Sequence, residues 1–288
     1  MCPRTFESLA DLVRPLIGSP MGEPEPLDGG ITNRNFHVRT AEGDFVVRVY
    51  GDKTSALGID RSAERAATAA AARAGVGPEV IAFTDELLVT SFIEGDPMPE
   101  VRIDETAAAL RAVHSGPELP ATFSGVAVAE DYARQAGELP SELAVGREIE
   151  SALRGPEHEP VPCHNDLLNA NLIWDGSRVR IVDWEYAGMG DRYFDLGNLS
   201  INNGLNEADD ERLLAAYFGE PCTPARFASL RLMRIVSDLR EAMWGVLQQS
   251  ISSLDFDFEG YATKHFARLR ESAADPRYPG WLEDAARG

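Results

Sequence analysis

Little in this sequence would staple it, anchor it or draw it to a polyanion. Its three cysteines, Cys2, Cys163 and Cys222, are scattered and form no CxxC pair. That leaves neither a disulfide framework nor a zinc site, and it suits a reducing cytoplasm. No stretch approaches the roughly 20 apolar residues of a membrane span. The opening residues MCPRTFESLA lack the apolar core of a secretory leader. Positive charge is short as well: 27 basic against 47 acidic side chains give a formal net charge of −20, which argues against nucleic acid as a partner. The same acidic field weakly favours a cationic ligand, although solubility alone accounts for it. What is there is 288 residues with 44% apolar and 26% charged content, enough for one large or two ordinary domains of a soluble globular protein.

Between Thr5 and Ile17, the residues Phe6, Leu9, Leu12, Val13, Leu16 and Ile17 recur at helical spacing, and GSPMGEPEP ends the pattern. LDGGITNRNFHVRT and DFVVRVYG read as strands separated by glycine-containing turns. DRSAERAATAAAARAG reads as an alanine-rich helix closed by Gly75 and Gly77, with EVIAFT and ELLVTSFI as two further strands. Up to Ile93 this is the pattern of a small α+β unit. EGDPMPE, rich in turn residues, suits a hinge. Beyond it the pattern is helical, at roughly 103–114, 127–137, 141–153, 208–218, 224–250 and 257–272. Two domains are expected, 1–93 and 94–288, with a cleft between them for a ligand.

The exception in the helical half is CHNDLLNANLIW, residues 163–174, with its neighbour SRVRIVDWEY. A His, an Asp and three Asn in an apolar run are costly to bury unpaired, so such groups are paired or used. NLIW and VRIVD flank DGSR, a hairpin signal, which sets Trp174 opposite Val179 and Asn171 opposite Val182, beside Asp183. An antiparallel pair brings its open end together. Asn171 and Asp183 therefore share one mouth with Asp166, which comes from the loop before the hairpin. An amide and carboxylates there make a hard-cation site of the Mg²⁺ kind. Cys163 and His164 do not form a nucleophile–base pair, because neighbours on a strand point to opposite faces. The cysteine reads as a small buried apolar residue.

HNDLLNAN fits His-x-Asp-x4-Asn, and VDWEY follows it as the metal-binding Asp follows in protein kinases. The chain resembles the kinase-like small-molecule phosphotransferases, the superfamily of aminoglycoside phosphotransferases and choline/ethanolamine kinases. The resemblance implies an α+β, two-lobed protein-kinase-like fold. Its small N-lobe would carry an antiparallel sheet and one long helix, and its larger C-lobe would be mainly helical. It also implies ATP and Mg²⁺. Asp166 would accept or orient the proton of the attacking hydroxyl, His164 would brace the loop, and Asn171 and Asp183 would hold Mg²⁺ on the phosphates. GGITNRNF at 29–36 matches the Gly-Gly-x-Ser/Thr-Asn phosphate-covering turn of choline-kinase-like proteins, through Gly29, Gly30, Thr32 and Asn33. No GxxxxGK(S/T) occurs, which disfavours a Walker-type NTPase. Arg48 stands where protein kinases carry Lys, with a fork suited to phosphate, and Glu64 is its implied ion-pair partner. Ser91 to Ile93 looks like the hinge whose backbone meets adenine.

The acceptor side rests on three runs. VDWEYAGMGDRYFDLGN resembles the Asp-Phe-Glu-Tyr…Phe-Asp-x-Gly-Asn run of choline/ethanolamine kinases, EAMWGVLQQ their Trp-Gly helix, and FDFEGYATKHFARL their Tyr-x-x-Tyr-Ala helix, with Phe258 and His265 as departures. The implied substrate residues are Glu185, expected to reach the acceptor side, and Trp244, offering a π-face to an ammonium group, with Asp191 and Tyr193 behind them. Asp195 is expected to bond the loop backbone instead. Leu247 stands where choline kinases of the well-known type have a second Trp. The expected acceptor is therefore a small cationic amino alcohol, choline- or ethanolamine-like or another hydroxyalkylamine able to donate N–H bonds. Aminoglycoside, sugar and thiamine phosphotransferases share the same signature, and a non-catalytic pseudokinase is the rival outside the enzymes. The intact Asp166, Asn171, Asp183 and Arg48 set speaks against the last. No nucleic acid partner and no membrane insertion are expected of this cytoplasmic monomer or homodimer.

Overall fold

The computed structural model describes residues 6–27, 33–51 and 54–288. Leu9, Val13 and Ile17 recur every fourth residue, so α1 (Phe6–Ile17) presents one apolar stripe. That stripe joins Phe36, Val38, Phe45 and Val47 in a single buried cluster. These four come from β2 (Arg34–Thr40) and β3 (Gly43–Val49), which pair antiparallel with Phe36 opposite Val47 and Val38 opposite Phe45. With β1 (Glu25–Leu27), β4 (Val80–Phe83) and β5 (Leu87–Ser91) they form a five-stranded sheet of order β1-β2-β3-β5-β4, antiparallel throughout. Side chains alternate across a strand. Val47 therefore faces the α1 cluster, while Arg48, paired with Asn35 and Leu88, turns to the other side.

On that other side lies α2 (Arg61–Arg73). Alanine supplies its helix propensity, and the Asp60 carboxylate caps its start by accepting from the N–H groups of Ser62 and Ala63. Ala67 and Ala71 belong to the same core as Leu110, Ile181 and Trp184. A Cβ on Gly77 would fall 2.7 Å from the Ala71 side chain, so only glycine lets the chain pass there. The turn after α2 is also tied to the second half of the molecule. Val76 O accepts from Ile181 N at 2.9 Å, and Gly77 O accepts from Arg180 at 2.7 Å.

The second half begins with β6 (Asp96–Pro97) and α3 (Ile103–His114), α4 (Gly125–Ala136) and α5 (Leu143–Ala152). Four short strands follow: β7 (Val161–Cys163), β8 (Leu172–Trp174), β9 (Val179–Ile181) and β10 (Gly188–Gly190). The remainder is α6 (Arg192–Asn202), α7 (Glu207–Phe218), α8 (Pro224–Ile251), α9 (Phe258–Ala273) and α10 (Tyr278–Ala285). Ten α-helices are thus present among the described residues. α8, 28 residues long, is the axis on which α4, α6, α9 and α10 pack.

The expected fold class, an antiparallel sheet followed by a mainly helical part, is what forms. Two helices escaped the sequence reading. Every residue of α6 from Tyr193 to Ile201 is buried, and its Gly197, Asn198 and Asn202 read locally as turn residues rather than helix formers. α10 is only eight residues long, too short for a periodic signal. β7 and β10 pair with each other over three residues each and carry Pro or Gly, which hides them from strand patterning. Among the described residues no helix is long and apolar enough to cross a membrane.

Candidate active site

The segment from His164 to Asn171 leads from β7, in the sheet it forms with β10, to β8, in the sheet it forms with β6 and β9, and almost every polar group in it is tied down. His164 is fully buried; its Nε2 lies 3.0 Å from Val182 O, and its Nδ1 lies 3.2 Å from Asp166 N. A carbonyl only accepts and a backbone N–H only donates, so the ring is the Nε2–H tautomer and braces the loop, as expected. Burial holds its proton affinity below the ordinary range. Asp195, on α6, takes the backbone N–H groups of His164 and Asn165 at 2.8 and 2.7 Å and is itself held by His114 at 3.0 Å. Burial works to raise the Asp195 carboxyl, but these donors keep it ionised, below the usual range. Asn198, one turn on, accepts from Leu167 N at 2.5 Å.

Asn165 and Asn169, which carried no role on sequence, both act on backbone. Asn165 donates to Tyr186 O at 3.0 Å and Asn169 to Met98 O at 2.6 Å. Burial pushes the Cys163 thiol up, consistent with an inert apolar residue.

This frame presents Asp166. Its Oδ1 accepts from Arg240 Nη1 at 3.1 Å, and the same nitrogen donates to Glu241 Oε1 at 2.6 Å. Tyr261 O–H donates to the second Glu241 oxygen at 2.6 Å, and the Arg240 guanidinium lies over the Tyr186 ring at 4.3 Å. Burial first, then the charges of Glu241 and Asp183 against that of Arg240, push the Asp166 carboxyl up to about 7. Arg240 and Glu241 were missed on sequence. The available signal was a charged pair inside IVSDLREAMWGV, a stretch of α8 buried from Ile235 to Gly245.

The hairpin β8–β9 pairs Leu172 with Ile181 and Trp174 with Val179, and Val182 N donates to Asn171 O at 3.0 Å, the register read from its loop. Asn171 spends its Nδ2 on the backbone O of Asp166 at 2.8 Å, which leaves Oδ1 as the atom it can offer a ligand. Asp183, two residues beyond β9, has φ 68°, a left-handed turn that is uncommon outside glycine and sends the chain sharply aside. Arg48 Nη1 donates to Asp183 Oδ1 at 2.6 Å and to Glu64 Oε1 at 3.0 Å, so the expected Arg48–Glu64 pair exists and also reaches the hairpin mouth. Asn33 donates to Glu185 Oε2 at 2.7 Å and accepts from Arg61 Nη2 at 3.0 Å.

Several expectations need correcting. Glu185, expected to reach the acceptor side, instead lies with Asn33, Arg48 and Arg61 beside Asp183, where burial, then Asp183, push its carboxyl up to about 8. Asp191 caps α6 through Tyr193 N at 2.8 Å and pairs with His158 at 2.6 Å, so both its oxygens are engaged in holding the fold. Tyr193 is fully buried and donates its hydroxyl to Glu157. These two residues act in structure because a helix start packed against a neighbouring loop needs its polar groups paired. Ser91 donates its backbone N–H to Glu79 O at 2.9 Å, and Phe92 donates to Asp44 O at 2.9 Å, so neither N–H remains for a base. Trp244 is 7% exposed, its ring edge-on to Phe258 and Tyr261 at 5.7 and 5.4 Å between centroids. Gly29, Gly30 and Thr32 lie outside the described residues.

A carboxyl poised near neutrality, an amide oxygen, a second carboxylate and an arginine fork thus face one mouth. That set suits removing a proton from a hydroxyl beside a multiply charged anion. Comparison with known proteins gives the same direction. The profile of the family described as "Phosphotransferase enzyme family" matches residues 23–232. A choline/ethanolamine kinase family protein from Mesorhizobium loti, known from its crystal structure, aligns with a TM-score of 0.84 and 32% identity over 98% of this chain and 99% of that one. Ethanolamine kinase 1 of Mus musculus is 26% identical over 294 residues, covering 82% of this chain and 80% of that protein. Choline kinase LicA of Streptococcus pneumoniae shares the fold, with a TM-score of 0.78 at 23% identity over 93% of this chain and 98% of that one.

Proposed function

Because the chain belongs to the phosphotransferase enzyme family, as a choline/ethanolamine-kinase-like member acting on a hydroxyl group of a small molecule, we propose that its donor is Mg²⁺-ATP and its acceptor a small cationic amino alcohol. The observation that carries this reading is the meeting of Asp166, Asn171 and Asp183 at one hairpin mouth with Arg48 bridging Asp183 to Glu64. Residues 1–93 would hold the nucleotide and 94–288 the base and the acceptor.

In this reading Asp166 takes the hydroxyl proton on Oδ2, the oxygen not bonded to Arg240. The alcohol oxygen forms a bond to the γ-phosphorus as the bond to the ADP oxygen breaks, giving a phosphate ester, ADP and one proton. Arg48 offers its fork to the donor phosphates, and Ile93, the first residue past the two occupied hinge N–H groups, meets the base. Asn171 Oδ1 and the Asp183 oxygen not engaged by Arg48 are hard donors that fit Mg²⁺, and Glu185 beside them is a third. When bound there, Mg²⁺ neutralises phosphate charge. On the acceptor side, the rings of Trp244 and Tyr261 suit an ammonium group, while Glu241, whose two oxygens are held by Arg240 and Tyr261, adds negative charge behind them. Leu247, fully buried where a second aromatic wall would stand, favours amines that donate N–H over a trimethylammonium.

Asp166→Ala should lower turnover by roughly 10²–10⁴-fold, the usual contribution of a positioned base, while calorimetry finds Mg²⁺-ADP binding unchanged. Retained turnover would remove Asp166 from the role. The acceptor is tested on a panel of choline, ethanolamine, N-alkyl amino alcohols, aminoglycosides and sugars. Activity confined to neutral sugars would sink the cationic acceptor.

A further inference from the structure

Arg61 opens α2, and on sequence it is one helix charge among several. In the structure it touches Tyr50, Glu64, Asn33 and Glu185. Its guanidinium lies over the Tyr50 ring at 3.8 Å. Nη1 donates to Glu64 Oε2 at 2.7 Å and stands 3.8 Å from Glu185 Oε2, while Nη2 donates to Asn33 Oδ1 at 3.0 Å.

These contacts are complementary to those of Arg48. Glu64 has two carboxylate oxygens, and Arg48 holds Oε1 at 3.0 Å while Arg61 holds Oε2. With both oxygens engaged, the carboxylate that aims Arg48 cannot swing. Asn33 is oriented in the same way: a carboxylate only accepts and a guanidinium only donates, so its Nδ2 must meet Glu185 and its Oδ1 must meet Arg61. One side chain thereby fixes residues from three separate segments: Asn33 before β2, Glu64 on α2 and Glu185 after β9. Tyr50 supports the guanidinium from its face, which leaves the planar edge to make the bonds.

We propose that Arg61 is a positioning residue for the nucleotide, holding Glu64 and Asn33 so that Arg48 and the segment at Asn33 stand in place before the phosphates arrive. Pre-organised groups bind more tightly because less ordering accompanies association. This inference rests on the reading that Mg²⁺-ATP occupies the Arg48 side. It does not depend on which alcohol is phosphorylated.

The test compares wild type with Arg61→Met and Arg61→Lys, measuring Mg²⁺-ADP binding by calorimetry and the KM of each substrate separately. Arg61→Met should weaken Mg²⁺-ADP binding and raise KM for Mg²⁺-ATP on the order of tenfold, about 1.4 kcal/mol. The acceptor KM should stay within about twofold, since the bonds lost are all on the nucleotide side. Arg61→Lys should fall between, because one ammonium cannot span Glu64 and Asn33 as the planar fork does. It also covers the case in which the Met variant fails to fold. Unchanged Mg²⁺-ADP binding in Arg61→Met overturns the proposal. So does full recovery in Arg61→Lys, which would make charge alone sufficient, and so does an acceptor KM that rises in step with that of ATP. A wild-type protein that binds no Mg²⁺-nucleotide overturns the functional reading, and this inference with it.

Discussion

Two described side-chain-bearing residues adopt left-handed backbone, Asn165 at φ 66° and Asp183 at φ 68°, and they flank the two ends of the same site. Such conformations persist where surrounding bonds over-determine them. Asn165 has its N–H on Asp195 and its amide on Tyr186, and Asp183 has its carboxylate on Arg48. Asn and Asp tolerate a positive φ better than other side-chain-bearing residues, but VDWEY and HNDLL do not say that these two adopt it, because partners far away in the chain hold them there. Arg240 makes the same point with a larger energy. It is 2% exposed, between two carboxylates that its own charge keeps from facing each other uncompensated. Arg240→Leu should therefore destabilise the protein by roughly 3–5 kcal/mol, as removing one partner of a buried ion pair does. Urea unfolding measures it, and a loss below about 1 kcal/mol would mean that the trio is solvated after all. The His-x-Asp-x4-Asn motif was legible at this scale, since His164, Asp166 and Asn171 sit within eight positions of one another. Arg240, Asp195 and Asn198 reach it from α8 and α6 through space.

Among the elements, α6 explains why the loop holds its shape. Asp195 and Asn198 project from one face of this helix to take three loop N–H groups, those of His164, Asn165 and Leu167, while the N–H of Asp166 between them goes to His164 Nδ1. Gly197, between them, lets α8 approach: a Cβ there would fall 2.8 Å from the backbone N of Arg234 and 2.8 Å from the carbonyl carbon of Met233. Gly197→Ala should lower stability by about 1–3 kcal/mol through overpacking, despite the better helix propensity of alanine. It should lower kcat as well, because α6 moves with its two anchors. Thermal unfolding beside steady-state kinetics checks both, and an unchanged or higher Tm would show that the α6–α8 contact can relax. The hairpin β8–β9 was readable to the residue because turn chemistry is local: Asp175 accepts from the N–H groups of Ser177 and Arg178, each at 2.9 Å. α6 was not, because its Gly and Asn residues read locally as turn signals and only packing on every side makes the segment a helix.

For the whole molecule, stability and charge bear on each other. Asp166 and Glu185 are pushed up to about 7 and about 8, in each case first by burial. In the unfolded chain such carboxyls ionise near about 4. Between those limits the folded state keeps protons that the unfolded state has lost. Their contribution is thus fully present below about pH 4 and is lost as pH rises through the folded values. His164, held below its ordinary range, acts in the opposite sense, and only where pH falls below that range. Metal-free protein should then lose stability, read as a falling Tm, as pH rises from about 4 to about 8, most cleanly between about pH 6.5 and pH 8 where His164 no longer opposes it, by at most about 1.4 kcal/mol per pH unit for each carboxyl. Glu185→Gln should flatten the slope, and Mg²⁺ with ADP, which favours the ionised forms, should flatten it too. A Tm that rises across this interval would contradict the assignment. At −20 the chain repels polyanions as a body, yet Arg48 and Arg61 stand together at one mouth, held there by Glu64 and Asp183, an arrangement that overall composition does not reveal.

The sequence by itself determined whatever depends on neighbours along the chain: the alternation that builds the sheet, the alanine-rich α2, the hairpin and its register, and the spacing of His164, Asp166, Asn171 and Asp183. Those signals are local, so a short window contains them whole. The tertiary structure alone decided which distant charges meet that window. It gave Asp166 its partner in Arg240, turned Glu185 toward Arg48 and Asn33, and closed Asp191 and Tyr193 into structural pairs. A carboxylate reads the same in any sequence. Its charge state and its task are set by what burial removes and by which donors the fold brings within hydrogen-bond reach.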